Sequence, residues 1–177
     1  LRRQKLAFDY ALTSKVDSLP NRIHLSYEAR IALIEGDEHI TSALDKRFQL
    51  EFYRPHIAIL TNLSWSTETD HATPEAYLST YQSFSVSIER EGKLIYFGGD
   101  DTVSQLAGDV RSDITAIPFE KDGQTFLHTR YGDYPVRIPN RYFLINLNAA
   151  RLACRQLGVK DADFYQALSE YSLSLPI

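Results

Sequence analysis

The 177-residue sequence is poor in sulfur: it has one cysteine, Cys154, and no methionine. A single thiol cannot close a disulfide within the chain, which excludes a disulfide-stapled scaffold and suits a reducing compartment. No apolar run reaches the roughly 18 residues of a membrane span, and no basic-then-apolar leader opens the sequence. The formal net charge of −4 lacks the basic excess of a nucleic-acid binder. We therefore expect a cytoplasmic protein with no membrane span and no nucleic-acid partner.

Several motifs that would identify an enzyme class are also missing. The sequence has no Gly-x-x-x-x-Gly-Lys-[Ser/Thr] phosphate loop, no Gly-x-Ser-x-Gly nucleophile elbow and no Cys or His pair with zinc spacing. Cys154 lies on a helix-like apolar stripe, where a small core residue is more common than a nucleophile. We assign no catalytic residue in this chain.

The sequence does contain short apolar runs that alternate with helix-like stretches. A length of 177 residues suits one domain with a sizeable core. Because only strands covered on both faces are apolar throughout, the runs predict neighbouring parallel strands. The pattern therefore predicts an α/β fold, a mostly parallel sheet flanked by helices on both faces. The four runs are residues 31–34, 56–61, 93–97 and 113–118.

Helix boundaries and one hairpin can be placed around these runs. Thr73-Pro74 is a typical N-cap with proline at the first helical position, and either residue of Asp100-Asp101 can cap a second helix. A third helix ends before Gly158, and Asp161 can cap a fourth. A small antiparallel hairpin is predicted beside the main sheet, with strands at 126–130 and 134–138 and a turn at 131–133.

An acidic loop, Glu-Gly-Asp-Glu-His at residues 35–39, follows the first apolar run. Ligands of open α/β sheets bind at the carboxyl ends of the strands, and carboxylates there can hold Mg²⁺ beside a phosphate. The alternative is an ordinary solvated loop, because short acidic motifs have low specificity.

Two other places can be considered for a ligand. Asp70-His71 is an adjacent acid–imidazole pair, and it can serve a metal, act as a general base or be a plain loop histidine. The amides of Gly98-Gly99 open a helix and can meet a small anion, although a turn with an aspartate cap is the simpler interpretation. The remaining strand-like histidines are expected to be structural: His24, His56 and His128.

Three stretches together resemble the central domain of the Mur ligase family. They are Ala-Leu-Ile-Glu-Gly-Asp-Glu at 32–38, Thr-Ser-Ala-Leu-Asp-Lys-Arg at 41–47 and Tyr-Arg-Pro-His-Ile-Ala-Ile-Leu-Thr-Asn-Leu at 53–63. Their order and spacing are similar to the branch that holds the muramate–alanine ligase and the ligase that recycles murein tripeptide onto UDP-N-acetylmuramate. Residues 146–168 look like the end of the same domain, so the resemblance covers almost the whole chain.

This resemblance implies ATP-dependent amide bond formation in peptidoglycan synthesis or recycling. In the family, ATP phosphorylates a UDP-muramyl carboxylate, an amine attacks the acyl phosphate, and Mg²⁺ neutralises charge on the phosphoryl group. By resemblance, Glu35 is the acidic residue near the magnesium, with Asp37 and His71 as further candidate metal ligands. The implied nucleotide or substrate contacts are Asn62, Thr67 and Asn146.

The sequence departs from the family pattern at several points. The phosphate loop is expected before the chain and the amino-acid-binding domain after it, so residues 1–177 are expected to be the central domain without either. Where the family has a glycine-containing segment, this sequence reads Ala-Leu-Thr-Ser at 11–14, with no glycine. The family's Asp-His is expected at 66–67 and is found only four residues later, at Asp70-His71. The nucleotide motif Gly-x-His-Asn, expected at 140–143, reads Asn-Arg-Tyr-Phe.

Two hypotheses about function follow. In the first, favoured by Glu35, the chain is the central domain of a working Mur-type ligase. In the second, favoured by the losses at 11–14, 66–67 and 140–143, it comes from a degenerate paralogue that acts as a non-catalytic binding or regulatory module. In both, we expect this chain alone to be inactive and to bind neither ATP nor Mg²⁺ tightly. The reason is that no ring of backbone amides with a reaching lysine is present.

Overall fold

The computed structural model describes residues 1–16, 19–119, 126–129, 132–135 and 141–174. The strands are β1 (Asp9–Ala11), β2 (Ile23–His24), β3 (Ala32–Ile34), β4 (Ile57–Leu60), β5 (Lys93–Phe97), β6 (Thr115–Phe119), β7 (Phe126–Thr129) and β8 (Gly132–Pro135). The α-helices are α1 (Pro74–Ser87), α2 (Asp101–Gly108), α3 (Arg141–Gln156) and α4 (Asp161–Ser174). Short 3-10 turns lie at Arg2–Gln4 and Gln49–Phe52. None of the helices in these ranges combines the length and the apolar composition that a bilayer span requires.

A parallel sheet of three strands, in the order β4-β5-β6, forms the centre of the fold. Ala58 of β4 pairs with Leu94 of β5, which pairs with Ala116 of β6. Successive side chains point to opposite faces: Leu94 packs with α1 and α2, whereas Ile95 packs with α3, and both are fully buried. Helices therefore cover both faces of this sheet, and the predicted α/β fold is confirmed.

Helix α1 begins where the sequence predicts. Thr73 is extended, and its hydroxyl accepts a hydrogen bond of 3.2 Å from the amide of Ala76, while Pro74 takes the first helical position. The apolar stripe of the helix is buried against the sheet through Tyr77, Tyr81, Phe84 and Ile88. The cap therefore sets the residue at which α1 begins, and the stripe sets the face that α1 buries against the sheet.

Asp100, and not Asp101, caps α2. Its Oδ1 accepts a hydrogen bond from the amide of Val103 at 3.0 Å, and its Oδ2 accepts one from the amide of Leu63 at 3.3 Å. The second bond joins the segment after β4 to the segment after β5. The carboxyl ends of these neighbouring strands thus meet at one edge, as parallel pairing requires.

The first apolar run does not join this sheet, so the prediction of four neighbouring parallel strands is wrong for β3. This strand pairs in parallel with β1, which also pairs antiparallel with β2, in a separate small sheet. Leu33 is 40% exposed and Ile34 is 53% exposed, so β3 is not covered on both faces. An apolar run identifies a strand, but tertiary pairing decides its neighbours.

The predicted hairpin is present, since β7 pairs antiparallel with β8 and Thr129 lies opposite Gly132. Gly132 and Asp133 belong to β8, so the turn is shorter than predicted. The rest of the predicted second strand, residues 136–138, lies outside the described residues.

The ends of α3 and α4 follow the sequence closely. Gly158 has a φ of +82°, the left-handed conformation that glycine adopts readily after a helix. Asp161 is the first residue of α4 rather than its cap, and its carboxylate accepts a hydrogen bond of 3.2 Å from Arg151. Leu147 and Leu168 pack the two helices together.

Candidate functional site

The acidic loop after β3 contacts the segment after β4. Oδ2 of Asp70 accepts a hydrogen bond of 3.0 Å from the amide of Ile40 and lies 3.2 Å from Nδ1 of His39. The bond from Ile40, with a smaller contribution from His39, lowers the pKa of Asp70. Oδ1 of Asp37 approaches the same imidazole, 3.8 Å from its Nε2. The structure thus joins two features that the sequence presents separately.

Glu38 extends from this loop to α1. Its Oε1 accepts hydrogen bonds of 2.6 Å from the hydroxyls of both Tyr77 and Tyr81. Such short distances are typical of hydroxyl donors to an ionised carboxylate. Burial, together with these bonds, raises the pKa of Tyr77 to about 12 and also raises the pKa of Tyr81, so both phenols remain donors at neutral pH. We call these three residues the tyrosine clamp.

His71 is buried beside the clamp, with 3% of its surface exposed. Its ring stacks on Phe48 with 3.7 Å between centroids and meets the ring of Tyr77 edge-on at 5.1 Å. Nε2 lies 3.0 Å from the hydroxyl of Thr80, whereas Nδ1 is buried with no hydrogen-bond partner among the described residues. Burial lowers the pKa of His71 despite two nearby carboxylates, so the ring is neutral near pH 7.

Glu35 directly follows β3 and is bonded to the loop after β1. Its Oε2 accepts hydrogen bonds from the amides of Thr13 at 2.8 Å and Ser14 at 3.3 Å. Partial burial acts to raise the pKa of Glu35, but hydrogen bonds from the hydroxyl of Thr13 and from these two amides outweigh it, and the pKa is lowered. Glu35 is therefore ionised near neutral pH and is bonded to the loop after β1.

The three predicted metal ligands, Glu35, Asp37 and His71, are held by different partners. In the part of the chain that the structure describes, no group of three or more His, Cys, Asp or Glu side chains is arranged to hold a metal ion. A cation here would take one or two of these side chains and complete its shell with water or ligand oxygens, as Mg²⁺ commonly does. Their role toward Mg²⁺ stays a prediction.

The three predicted nucleotide or substrate contacts lie on different elements. Asn62 is exposed just past β4, at the edge where β4 and β5 end. Thr67 is exposed in the segment that leads to Asp70. Asn146 is exposed on α3, which packs against the opposite face of the sheet from α1. The structure therefore places Asn62 and Thr67 in the segment after β4 and keeps Asn146 on another element.

Two other candidate features have structural explanations. Asp100 already fills the start of α2 next to Gly98-Gly99, because its carboxylate bonds the helix amide of Val103. Cys154 is half-buried in α3, and burial raises the pKa of its thiol, which fits a packing residue rather than a nucleophile.

A cleft of about 580 Å³ lies away from this site, beside the segments that precede β4, β5 and β6. It is lined by Arg54, Arg90, Arg111 and Asp113, among others, and by none of the predicted site residues. Arg111 is engaged there with Asp113 and with the carbonyls of Val86 and Ile88, which end α1. Arg111 therefore has a structural role in this cleft, because its hydrogen bonds hold the end of α1.

The tyrosine clamp is the part of the site that the sequence prediction missed. In the sequence, Tyr77 and Tyr81 are recognisable only as members of the apolar stripe of α1. The sequence nevertheless indicates a polar partner for them, because the hydroxyl of a buried tyrosine needs a hydrogen-bond partner. Two tyrosines four residues apart on one buried stripe thus indicate a shared polar partner. Phe48 and Thr80 carry no such indication, since their contacts with His71 depend on how the loop folds.

No protein-family model matches the chain. Two curated relatives are UDP-N-acetylmuramate–L-alanine ligases. The ligase from Streptomyces coelicolor is 25% identical, and the match covers 92% of this chain and 37% of the relative. The ligase from Arthrobacter sp. is 27% identical, and the match covers 80% of this chain and 32% of the relative. The chain spans about a third of the length of these curated relatives.

A solved structure with a similar fold is the UDP-N-acetylmuramate:L-alanyl-γ-D-glutamyl-meso-diaminopimelate ligase from Neisseria meningitides. It matches with a TM-score of 0.79 and 18% identity, over 95% of this chain and 58% of that chain. At this identity the likeness concerns the fold. Together with the curated relatives, it confirms the resemblance to the central domain of the Mur ligases that the sequence indicated.

Proposed function

We propose that the chain is the central domain of a Mur-type ligase that works in the cytoplasm on peptidoglycan synthesis or recycling. Such an enzyme activates the carboxylate of a UDP-muramyl substrate with ATP and joins it to the amine of an amino acid or peptide. The observation that carries the proposal is the contact between the acidic loop after β3 and the Asp70-His71 segment after β4. Ligand sites of open α/β sheets form at such strand ends.

ATP and Mg²⁺ would be the cofactors of this enzyme. Carboxylate oxygens suit Mg²⁺, which prefers hard oxygen ligands and keeps several waters. One or two of its protein ligands would come from Glu35, Asp37 and His71. When bound, the ion would neutralise charge on the phosphates. Asn62, Thr67 and Asn146 would serve the nucleotide or the substrate.

We further propose that residues 1–177 are one domain of a longer ligase, whose other parts complete the sheet at β4. In a parallel strand, the amide and carbonyl of one residue point to one neighbour, and those of the next residue point to the other side. The carbonyl of His56 accepts a hydrogen bond from Lys93 at the start of β5, so Ile57 and Ile59 direct their backbone groups away from β5. No strand in the described ranges pairs with that edge, and the side chain of Ile59 is 41% exposed.

The same argument applies to β3. The carbonyl of Ile31 accepts a hydrogen bond from Asp9, and the amide of Glu35 donates one to Ala11, so these residues face β1. Ala32 and Ile34 therefore direct their backbone groups to the other side, where no described strand pairs. Unpaired groups along an apolar strand favour pairing with another strand. A further segment of the ligase would supply that strand.

The test of the ligase function compares this chain with the natural polypeptide that contains it. We expect the natural polypeptide to bind Mg-ATP with a low-micromolar dissociation constant, about −8 kcal/mol, in a calorimetric titration. It should release phosphate only when UDP-N-acetylmuramate and an amine are both present. The 177-residue chain alone should give no saturable heat at micromolar protein.

Matched variants of the natural polypeptide identify the residues involved. Glu35→Gln and His71→Asn should each lower phosphate release by at least about tenfold, the scale expected when a group that acts on the transferring phosphate is lost. Glu28→Gln, an exposed residue outside the site, should leave phosphate release unchanged. Equal rates in all three variants would contradict the assignment of Glu35 and His71.

The second candidate function is a degenerate Mur-ligase paralogue that serves as a non-catalytic binding or regulatory module. One observation favours it. The segment where the family's nucleotide motif Gly-x-His-Asn is expected holds Tyr142 instead, and this side chain is 68% exposed. In this case the natural polypeptide binds no Mg-ATP and releases no phosphate with any combination of substrates. That result would replace the ligase proposal.

A further inference from the structure

The imidazole of His71 has one engaged nitrogen and one free nitrogen. Nε2 lies 3.0 Å from the hydroxyl of Thr80, and Nδ1 is buried with no partner among the described residues. We propose that Thr80 is a positioning residue that fixes His71 in the tautomer with its hydrogen on Nε2. The lone pair of Nδ1 is then the atom that the ring offers to a ligand. This inference deepens the proposed function and rests on it only for the identity of that ligand.

The hydroxyl of Thr80 decides the direction of the hydrogen bond. It has a single hydrogen, and Oγ1 lies 3.2 Å from the carbonyl of Ala76, one turn earlier in α1. Threonines in helices often donate to the carbonyl four residues before them. With its hydrogen directed there, Oγ1 presents a lone pair to Nε2. Nε2 must then be the donor, because two lone pairs cannot bond each other.

The opposite tautomer is disfavoured by burial. It would leave a ring N–H at Nδ1 with no acceptor in a side chain that is 3% exposed. Buried donors without a partner are rarer in proteins than buried acceptors without one. The stack on Phe48 and the edge contact with Tyr77 hold the plane of the ring. A turn of the ring about its Cβ–Cγ bond would have to break both ring contacts on the way and would take Nε2 away from Thr80.

The consequence is an imidazole whose acceptor atom is set before any ligand arrives. A histidine whose second nitrogen is bonded by a neighbouring group keeps one tautomer and one orientation. A lone pair on Nδ1 can take a divalent cation or the hydrogen of an N–H or O–H donor, and both require that Nδ1 carries no hydrogen of its own. Thr80 does not touch the ligand in this arrangement; it acts through His71.

The tautomer can be read directly by NMR of the full chain with ¹⁵N-labelled histidine, at pH 7.5 and without nucleotide or metal. Protonated and unprotonated ring nitrogens have well-separated ¹⁵N shifts, and a His71→Asn variant assigns the signals. In the wild type we expect a hydrogen on Nε2, none on Nδ1, and a slowly exchanging Nε2–H. Thr80→Val, which keeps the shape and removes the hydroxyl, should speed exchange of that hydrogen at least about tenfold. Thr80→Ser should restore the wild-type signature.

Two results would overturn the inference: a hydrogen on Nδ1 in the wild type, or an unchanged exchange rate of the Nε2 hydrogen in Thr80→Val. If Thr80→Val unfolds, the wild-type shifts and the Thr80→Ser variant decide, since both must show the hydrogen on Nε2. The measurement uses no ATP or Mg²⁺. Its outcome is therefore independent of the Mg-ATP titration that tests the ligase proposal.

Discussion

Oε1 of Glu38 accepts the hydroxyl hydrogen of Tyr81 at 2.6 Å, and 43 positions separate the two residues in the sequence. Tyr77 donates to the same oxygen at the same distance. One acceptor thus holds two donors, and each donor can satisfy it when the other is lost. The contact joins the loop after β3 to α1, so the candidate site depends on it for its shape.

This shared acceptor predicts non-additive costs of mutation. We expect Tyr81→Phe alone to lower the free energy of unfolding by about 1 kcal/mol, because Tyr77 still bonds Glu38. The double variant with Tyr77→Phe should cost more than the sum of the two single variants. Urea unfolding at pH 7 measures both, with the exposed Tyr142→Phe as a control that stays within about 0.5 kcal/mol of the wild type. Additive costs would show that the two phenols act independently.

The open edge of β4 predicts a pattern of hydrogen exchange. The amides of Ile57 and Ile59 face away from β5, and those of Ala58 and Leu60 face toward it. In the 177-residue chain, we expect the first pair to exchange at least about a hundredfold faster than the second. In the natural polypeptide the two pairs should differ by less than about tenfold, because a further strand covers the edge. A large difference that persists there would contradict the domain proposal.

The cap of α1 predicts a local loss of stability. Thr73→Ala removes the oxygen that bonds the amide of Ala76 and should lower the free energy of unfolding by about 0.5–2 kcal/mol. Thr73→Ser keeps that oxygen and should stay close to the wild type. Exchange of the first-turn amides of α1 should rise in the alanine variant more than exchange in α2. An equal rise in both helices would show that the effect is not local to the cap.

Arg111 and Asp113 predict a dependence of stability on pH. Two hydrogen bonds of 2.9 Å from Arg111 hold the pKa of Asp113 well below its usual range. A carboxylate whose pKa folding depresses stabilises the protein above its unfolded pKa of about 4, and this contribution is lost as the pH falls. Asp113→Asn should therefore be less stable than the wild type at pH 7. The difference in the free energy of unfolding between the two proteins should become smaller toward pH 2.

Urea midpoints measured from pH 7 to pH 2 test this expectation. Asp109→Asn, an exposed aspartate in the turn after α2, is the matched control and should follow the wild type at every pH. A gap between Asp113→Asn and the wild type that stays constant across the range would show that Asp113 acts through packing rather than charge.

The main sheet could be predicted because its strands combine an apolar run with burial on both faces. The runs that contain Leu94 and Ala116 fall in β5 and β6 with ends that differ by at most two residues from the prediction. The cap at Thr73 could also be predicted directly, and the second cap could be limited to Asp100 or Asp101, since capping depends on a side chain and an amide three residues apart. Such features are local, and local sequence specifies them.

The placement of β3 and the tyrosine clamp could not be predicted in the same way. The apolar run at β3 is as strong as the others, yet its partner is β1, and pairing is decided by the whole fold. Glu38 is one of three carboxylates within residues 35–38, and nothing in that loop distinguishes it from Glu35. Only the fold brings it to Tyr77 and Tyr81, whereas Glu35 turns to Thr13 and Ser14.

The unpaired edges of β3 and β4 also affect how the chain associates at high concentration. A row of outward amides and carbonyls beside apolar side chains such as Ile34 and Ile59 is a template for a strand of another molecule. At high concentration, we expect copies of the chain to add to one another along these edges. The melting temperature of the chain then depends on its concentration as well as on the stability of its fold. Any stability measurement should therefore be repeated over a series of dilutions. A charged residue at the edge, as in Ile59→Lys, offers a way to keep the molecules apart.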